Sequence, residues 1–355
     1  MQSTPADPVK EKSSCCCCGP AVRKTTLSWN MHDYFGAALC RVSNSYRMRY
    51  RVNPGLYSLG SPTPETPVFV TANYKLSFDH LRKDLGAMDA WILVLDTKGI
   101  NVWCAAGKGT FGTNELVRRI ELEKLDKKVS HKNLIVPQLG APGMAAHEVK
   151  KKTGFSVTYG PVRSKDLREF IANNGTSNSA MRTVTFTLSE RIVLIPLEVV
   201  AIIKKVFIPL ILIALVMGLQ KQGIMFHQMA ALVLPLVAAL GTAIVAGCIL
   251  HPVLLPFLFV RSFAFQGLIL GILADILAHF SGVFSTMSIY GQFASYIAIP
   301  ALSSYLAFNF TGSTPIANKS GVKKELKLSV PLYIAAGVAT LILLVLYKIS
   351  QEGLL

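Results

Sequence analysis

The sequence predicts two units in series: an α/β domain with a mostly parallel sheet, then an all-α transmembrane domain of about five helices. Three observations predict this. The 355 residues are 51% hydrophobic and only 16% charged, with a mean hydropathy of +0.43, whereas a water-soluble globule is about a quarter charged. The charge is uneven: residues 1–191 carry 27 Lys/Arg and 16 Asp/Glu, and residues 192–355 carry 9 and 4. The apolar period also changes, from runs of four to six residues before residue 190 to runs near twenty after it. A soluble enzyme is excluded. A wholly membrane-buried transporter does not fit the polar first half.

Residues 1–28 contain Pro, Ser, Lys and Cys with little to bury, and read as a flexible tail. Residues 29–190 form the α/β domain and 191–355 the membrane domain. The segment 42–60 reads as a hairpin turning at Asn53-Pro54-Gly55. Its Arg47, Arg49 and Arg51 suit either a solvated strand face or contacts to phosphate or lipid headgroups. From residue 66 the pattern predicts strands at 68–71, 90–96, 133–138 and 155–160. Between them it predicts helices at 77–85, 114–128 and 145–152, with a last helix at 164–174 starting from a Ser164 cap. Such apolar strands feeding helices argue for a parallel sheet covered on its faces. Ligands then sit beyond the carboxyl ends of the strands, which points to the loops after Thr71, Asp96, Pro137 and Tyr159. A strand-like stretch at 183–188 leads to the membrane domain.

The long apolar stretches fall at 194–219, 227–250, 255–275, 286–308 and 329–347, each near the length a bilayer core requires. Pro209, Pro235 and Pro300 are tolerated in packed membrane helices, and Gly267 and Gly271 permit close helix contact. With five crossings, Lys204, Lys205, Arg261, Lys319, Lys323, Lys324 and Lys327 share one side, opposite Lys221, Asp275 and Lys348. The positive-inside rule then makes the amino-terminal domain cytoplasmic and puts the carboxyl terminus outside, in a multi-pass inner-membrane protein.

Seven cysteines, four of them consecutive from Cys15 to Cys18, do not form a disulfide framework and favour a reducing compartment. The amino terminus has no apolar run of the signal-peptide kind. The histidines show no convergent metal spacing. His80 beside Asp79 reads as a surface residue, and Asp275 with His279, four apart, as either a functional or an interfacial pair.

The strand 90–96 is followed by TKGINVWCAAGKGTFGT. Its glycines fit neither the dinucleotide fingerprint nor the Walker pattern, which needs a glycine where Trp103 stands. Cys104 is followed by Ala105, Ala106 and Gly107, small residues that would let a bulky planar partner come close. A lone cysteine here also has a plain structural reading as a small buried hydrophobe.

The run Asn101-Val102-Trp103-Cys104-Ala105-Ala106-Gly107-Lys108 closely resembles the cap-helix motif of the mercury-methylating corrinoid protein family. The family's order, a Rossmann-like corrinoid-binding domain before a five-helix membrane domain, is also the order predicted here. A related segment occurs in the large subunit of the corrinoid iron–sulfur protein, which is soluble and carries a four-cysteine cluster site. The contiguous Cys15–Cys18 run lacks the spacing of such a site.

The resemblance implies a base-off, cobalamin-type corrinoid whose lower cobalt face is ligated by the Cys104 thiolate. Thr71 would line the pocket across from the cap helix. Asn101, Val102, Trp103, Ala105, Ala106, Gly107, Lys108, Gly109 and Thr110 would complete the cofactor site. Asn101 also reads as the helix N-cap, and a helix amino terminus with nearby Lys108 favours a thiolate. The implied reaction is methyl transfer from cobalt to Hg(II), an anaerobic methyltransferase activity giving methylmercury. The implied partners are a ferredoxin-like reductant with two [4Fe–4S] clusters and a methyltetrahydrofolate-linked methyl donor. Cys15, Cys16, Cys17 and Cys18 could capture Hg(II), since thiolates suit soft metals, or carry lipid. Cys248 reads as either a packed helix residue or part of a mercury relay, and the polar loop 309–325 as a dock for the corrinoid domain or a basic juxtamembrane loop. Three rival functions remain: a membrane-anchored methyl carrier serving another acceptor, a transporter with a cytoplasmic regulatory domain, and a nucleic-acid binder. The last rests only on the +16 charge and lacks a basic–aromatic platform.

Overall fold

A computed structural model describes residues 21–220 and 223–352. The chain divides into two compact units, Met1–Cys40 with Ser45–Val184, and Arg41–Asn44 with Thr185–Leu355. The Cys15–Cys18 run lies outside the described residues.

The first unit holds a six-stranded sheet of β1 (Arg23–Thr25), β2 (Gly55–Leu59), β3 (Val68–Ala72), β4 (Ala90–Leu95), β5 (Asn133–Val136) and β6 (Ser156–Tyr159). The spatial order is β1-β2-β4-β3-β5-β6. Every neighbouring pair is parallel except the antiparallel β2 and β4. The helices of this part of the chain are α1 (Met31–Val42), α2 (Asn44–Arg49), α3 (Lys75–Leu85), α4 (Val102–Lys108), α5 (Thr113–Leu122), α6 (Ala146–Thr153) and α7 (Leu167–Ala172). β3 and β4 are buried along their whole length, which is why they read as unbroken apolar runs. Alternate residues serve opposite faces. Val70, Leu93 and Leu95 pack with Phe111, Leu116 and Phe155, while Phe69, Ile92 and Val94 pack with Phe78, Leu85 and Phe170.

The structure departs from the sequence expectation at several junctions. The tail expected through residue 28 ends earlier, because Arg23–Thr25 pairs with Tyr57–Leu59 at the sheet edge. No hairpin forms over 42–60: Asn44–Arg49 is helical, and only Gly55–Leu59 is a strand. The helix expected at 114–128 ends at Leu122 and tightens into a short 3₁₀ turn, Leu125–Lys127. Ser164 opens a 3₁₀ turn and bonds to Asp84 instead of capping a helix. The stretch 183–188 forms no strand; Thr187 instead begins a short helix with a reciprocal capping box to Glu190.

A buried ion quartet ties α1 to α3. Lys75 Nζ lies 2.6 Å from Asp33 and 2.7 Å from Asp79, and Arg82 lies 2.6 Å and 2.9 Å from the same carboxylates. Arg82 also donates to the Thr26 and Ser28 carbonyls. Burial pushes the Asp33 carboxyl up, but hydrogen bonds from Lys75, the Asn30 amide and Arg82 outweigh it and bring it down to about 2.

The second unit contains α8 (Leu188–Ile192), α9 (Ile195–Gly218), α10 (Phe226–Ile244), α11 (His251–Leu254), α12 (Phe263–Phe280), α13 (Ile289–Asn309) and α14 (Lys319–Gln351). Among the described residues five helical segments are long and apolar enough to cross a membrane, the mark of a multi-pass membrane protein. The third begins at Phe263 instead of residue 255, because the run through Leu255–Phe257 ends the preceding helix and Ser262 caps the next. The fifth begins at Lys319, ten residues before its expected start, so half of the polar 309–325 segment is helical. Gly267 and Gly271 sit at the α12–α13 contact: an added Cβ would lie 2.4 Å from the Ala307 side chain and 2.7 Å from the Pro300 backbone, respectively. Ser303 and Ser304 donate to the Gly267 and Ala264 carbonyls across the same seam, each at 2.7 Å.

Candidate functional site

The segment carrying Cys104 follows the buried strand β4 and is aimed by hydrogen bonds from β3. Asn73, just past Ala72, accepts from the Thr97 amide at 3.0 Å and the Gly99 amide at 2.9 Å, and its own amide group donates to Asp96 at 3.2 Å. Thr97 Oγ1 in turn donates to the Ile100 carbonyl at 2.6 Å. Within this loop Lys98 and Gly99 both adopt positive φ, 58° and 77°. The side chain of Asn73 therefore holds a tight reversal just before the helix.

α4 begins with Asn101, whose side chain accepts from the Cys104 amide at 2.9 Å. This is the N-cap its position predicts. The helix ends at Gly109, whose left-handed φ of 79° returns its amide to the last turn. One face of this seven-residue helix points into the core: Val102, Ala105 and Ala106 are buried among β-strand side chains. The other carries Trp103, Cys104, Gly107 and Lys108, all exposed. The close packing of the inner face depends on Gly143, where a Cβ would fall 2.1 Å from the Phe111 carbonyl and 3.2 Å from the Ala106 backbone.

Ala105 and Ala106 are buried, and their small side chains let α4 sit close to the sheet. The open position is Gly107, one turn beyond Cys104, where a Cβ would meet no atom within 4 Å. Gly109 is equally open, Lys108 is exposed, and Thr110 is half-buried with its amide on the Ala105 carbonyl.

Beside the start of α4 lies a cavity of about 320 Å³ at the carboxyl ends of the parallel strands. Thr71, Asn101, Val102 and Trp103 line it, together with His80 and Pro137. His80 is thus not a plain surface residue. Its ring is half-buried and packs 5.2 Å from that of Trp29. The sequence reading missed Asn73, although an asparagine directly after a parallel strand is a recognisable turn signal.

The other cysteines are elsewhere. Cys40 and Cys248 are buried, and Cys104 is the exposed one among the described residues. No group of three or more His, Cys, Asp or Glu side chains is poised around a common point among the described residues. Asp275 and His279 do meet, at 3.5 Å, and His279 also bonds Ser295 at 2.9 Å and stacks on Tyr296.

Residues 44–171 match the family described as CO dehydrogenase/acetyl-CoA synthase delta subunit. The acetyl-CoA decarbonylase/synthase complex subunit gamma of Archaeoglobus fulgidus is 33% identical over 130 residues, 36% of this chain and 27% of that one. The corresponding subunit of Methanopyrus kandleri is 36% identical over 127 residues, 35% of this chain and 27% of its own. That of Methanocaldococcus jannaschii is 32% identical over 125 residues, 35% and 25%. The chain thus spans about a quarter of the length of these curated relatives. The family match runs from α2 to α7 and includes Asn73 and Cys104.

Proposed function

We propose that the α/β unit binds a corrinoid on the outer face of α4, with the Cys104 thiolate as lower cobalt ligand, and that the protein is a methyltransferase delivering a methyl group to Hg(II). The observation that carries this reading is the open face itself. An exposed soft donor stands one turn from a glycine with empty space where a side chain would be. A broad, flat ligand needs such a surface, and a thiol is a suitable donor to a transition metal. The similarity to acetyl-CoA decarbonylase/synthase subunits supports one-carbon chemistry in general. The cap-helix motif and the membrane helices favour mercury as the acceptor.

When bound, the corrinoid supplies the cobalt-borne methyl group; the chain supplies position and ligation. Asn101 holds the first turn of α4 so that Cys104 faces outward. The burial of Ala105 and Ala106 keeps the helix from rotating. Gly107 leaves room for the ring, Lys108 offers a cation to its amide or carboxylate substituents, and Thr71 closes the adjoining cavity. Electrons and the methyl group come from partners, a ferredoxin-like protein with two [4Fe–4S] clusters and a methyltetrahydrofolate-linked donor. The α/β unit faces the cytoplasm in this reading.

The deciding experiment is the absorption spectrum of the anaerobically purified full chain reconstituted with cobalamin, wild type against Cys104→Ala. A base-off, sulfur-ligated spectrum that is lost in the variant, followed by methylmercury formation from Hg(II), supports the reading. Identical spectra for the two proteins would overturn the assignment of Cys104. Corrinoid binding without transfer to Hg(II) would leave a methyl carrier for another acceptor.

A further inference from the structure

The membrane unit holds a cavity that the corrinoid reading does not use. α9 packs on α10 and α14 on α13, and all four helices line a space of about 220 Å³. On α13 the lining residues Gly291, Ala294, Ala298 and Leu302 recur every three or four positions, which sets them on one face. Three of the four are small, so that face is a trough. From Gly291 to Leu302 it runs for about 16 Å, at 1.5 Å per residue. Near its Gly291 end the helices are tied together. Lys348 donates to the Met217 carbonyl at 2.8 Å, joining the last turns of α14 and α9, and Ser350 donates to Ser288 at 2.8 Å just before α13. The cavity is half-open, and Pro209 of α9, on its wall, is exposed.

We infer that this trough is a lipid site, holding one acyl chain of a bilayer phospholipid against α13. Its chemistry excludes water, which needs about two to four polar partners when buried. The polar side chains lining the cavity are Ser295 and Thr340. Ser295 already donates to the Gln292 carbonyl at 2.8 Å and pairs with His279 at 2.9 Å, which leaves a single hydroxyl. The medium around a membrane-crossing bundle is hydrocarbon. The trough is also as long as one leaflet is deep, about half of a 30 Å hydrocarbon core. A seated chain gives the lining the close carbon contacts that an empty space would forfeit.

The test uses the full chain in phosphatidylcholine nanodiscs that include a phosphatidylcholine with a diazirine on one acyl chain. After irradiation, residue-resolved mapping should find label on Ala294 and Leu302 as well as on Phe293 and Tyr296, which are exposed on the same helix. Ala298→Phe puts a ring into the trough. It should abolish the label on Ala294 and Leu302 and keep that on Phe293 and Tyr296. Label confined to Phe293 and Tyr296 in the parent chain would mean that the trough is shut or covered by protein. Undiminished label on Leu302 in the variant would mean that the chain lies elsewhere. Either outcome overturns the inference. Labelling of the trough by a free fatty acid with the same diazirine, but not by the phospholipid, would overturn its phospholipid part. Ala298→Leu, a smaller filler, repeats the comparison if the phenylalanine variant falls short of the parent's thermal midpoint.

Discussion

Asn73 accepts a hydrogen bond from the Thr97 amide at 3.0 Å, joining the ends of β3 and β4 and presetting the loop that leads into the helix of Cys104. Thr97 is completely buried, so its amide has no water to fall back on. Asn73→Ala should destabilise the unit by about 1–3 kcal/mol, the cost of leaving a buried donor unpaired. Urea unfolding followed by tryptophan emission measures this. An unchanged midpoint would mean that the loop holds its shape without Asn73.

Arg82 is the centre of the quartet that fastens α1 to α3. It is nearly fully buried and serves two carboxylates and two carbonyls. Arg82→Met should cost about 3–5 kcal/mol, because Asp33 and Asp79 would share one remaining cation, Lys75. Limited proteolysis should then cut first within residues 21–42.

The same quartet sets an acid limit. The Asp33 carboxyl is lowered from an ordinary 3.8 to about 2 in the fold. A depressed acid contributes stability that is present above its unfolded value and is lost as pH falls through the folded one. The contribution should therefore fade between about pH 4 and pH 2. Asp33→Asn should flatten the fall of stability in that window; an equally steep fall would assign it to other carboxylates.

Gly107 separates a structural from a functional reading of α4. Gly107→Ala should leave the fold intact and stabilise the helix by about 0.5–1 kcal/mol, since no atom lies near the added carbon. Gly107→Leu should also fold, yet lose corrinoid in the reconstitution assay. Retained binding in the leucine variant would mean that the cofactor sits elsewhere.

In the membrane unit, Gly271→Leu should force α12 away from α13, since even one added carbon would lie 2.7 Å from the Pro300 backbone. Overpacking of this kind costs about 1–3 kcal/mol. A lowered thermal midpoint in detergent, with the α/β unit unaffected, is the expected result.

Elements that depend on local pattern were legible in the chain. The alternating strands and helices between Val68 and Ala172 followed from apolar pattern, because strands buried on both faces read as short unbroken apolar runs and burial of one helix face selects side chains three or four apart. The five apolar segments followed from length, because a bilayer core demands about twenty residues without exposed charge. Asn101 announced itself as a cap, and Gly267 with Gly271 as a close helix contact, for equally local reasons. Boundaries failed where a neighbour decides the outcome: Arg23–Thr25 is a strand because β2 lies beside it, and Asn44–Arg49 is a helix despite its hairpin-like sequence.

The arrangement around Cys104 needed the tertiary structure. The pattern NVWCAAGK does not say which of its residues face inward. Gly143, brought against Ala106 from the separate 3₁₀ helix Gln138–Gly143, turns the alanines to the core and leaves Cys104 and Gly107 outside. Asn73 and Thr97 are 24 residues apart, and Asp33 and Arg82 are 49 apart. Neither pair has a local signature, because hydrogen bonds and ion pairs of that span exist only once packing has brought the chain together and excluded water. Periodicity thus determined the units and their order, and long-range packing decided which side of each element meets the solvent and what it can bind there.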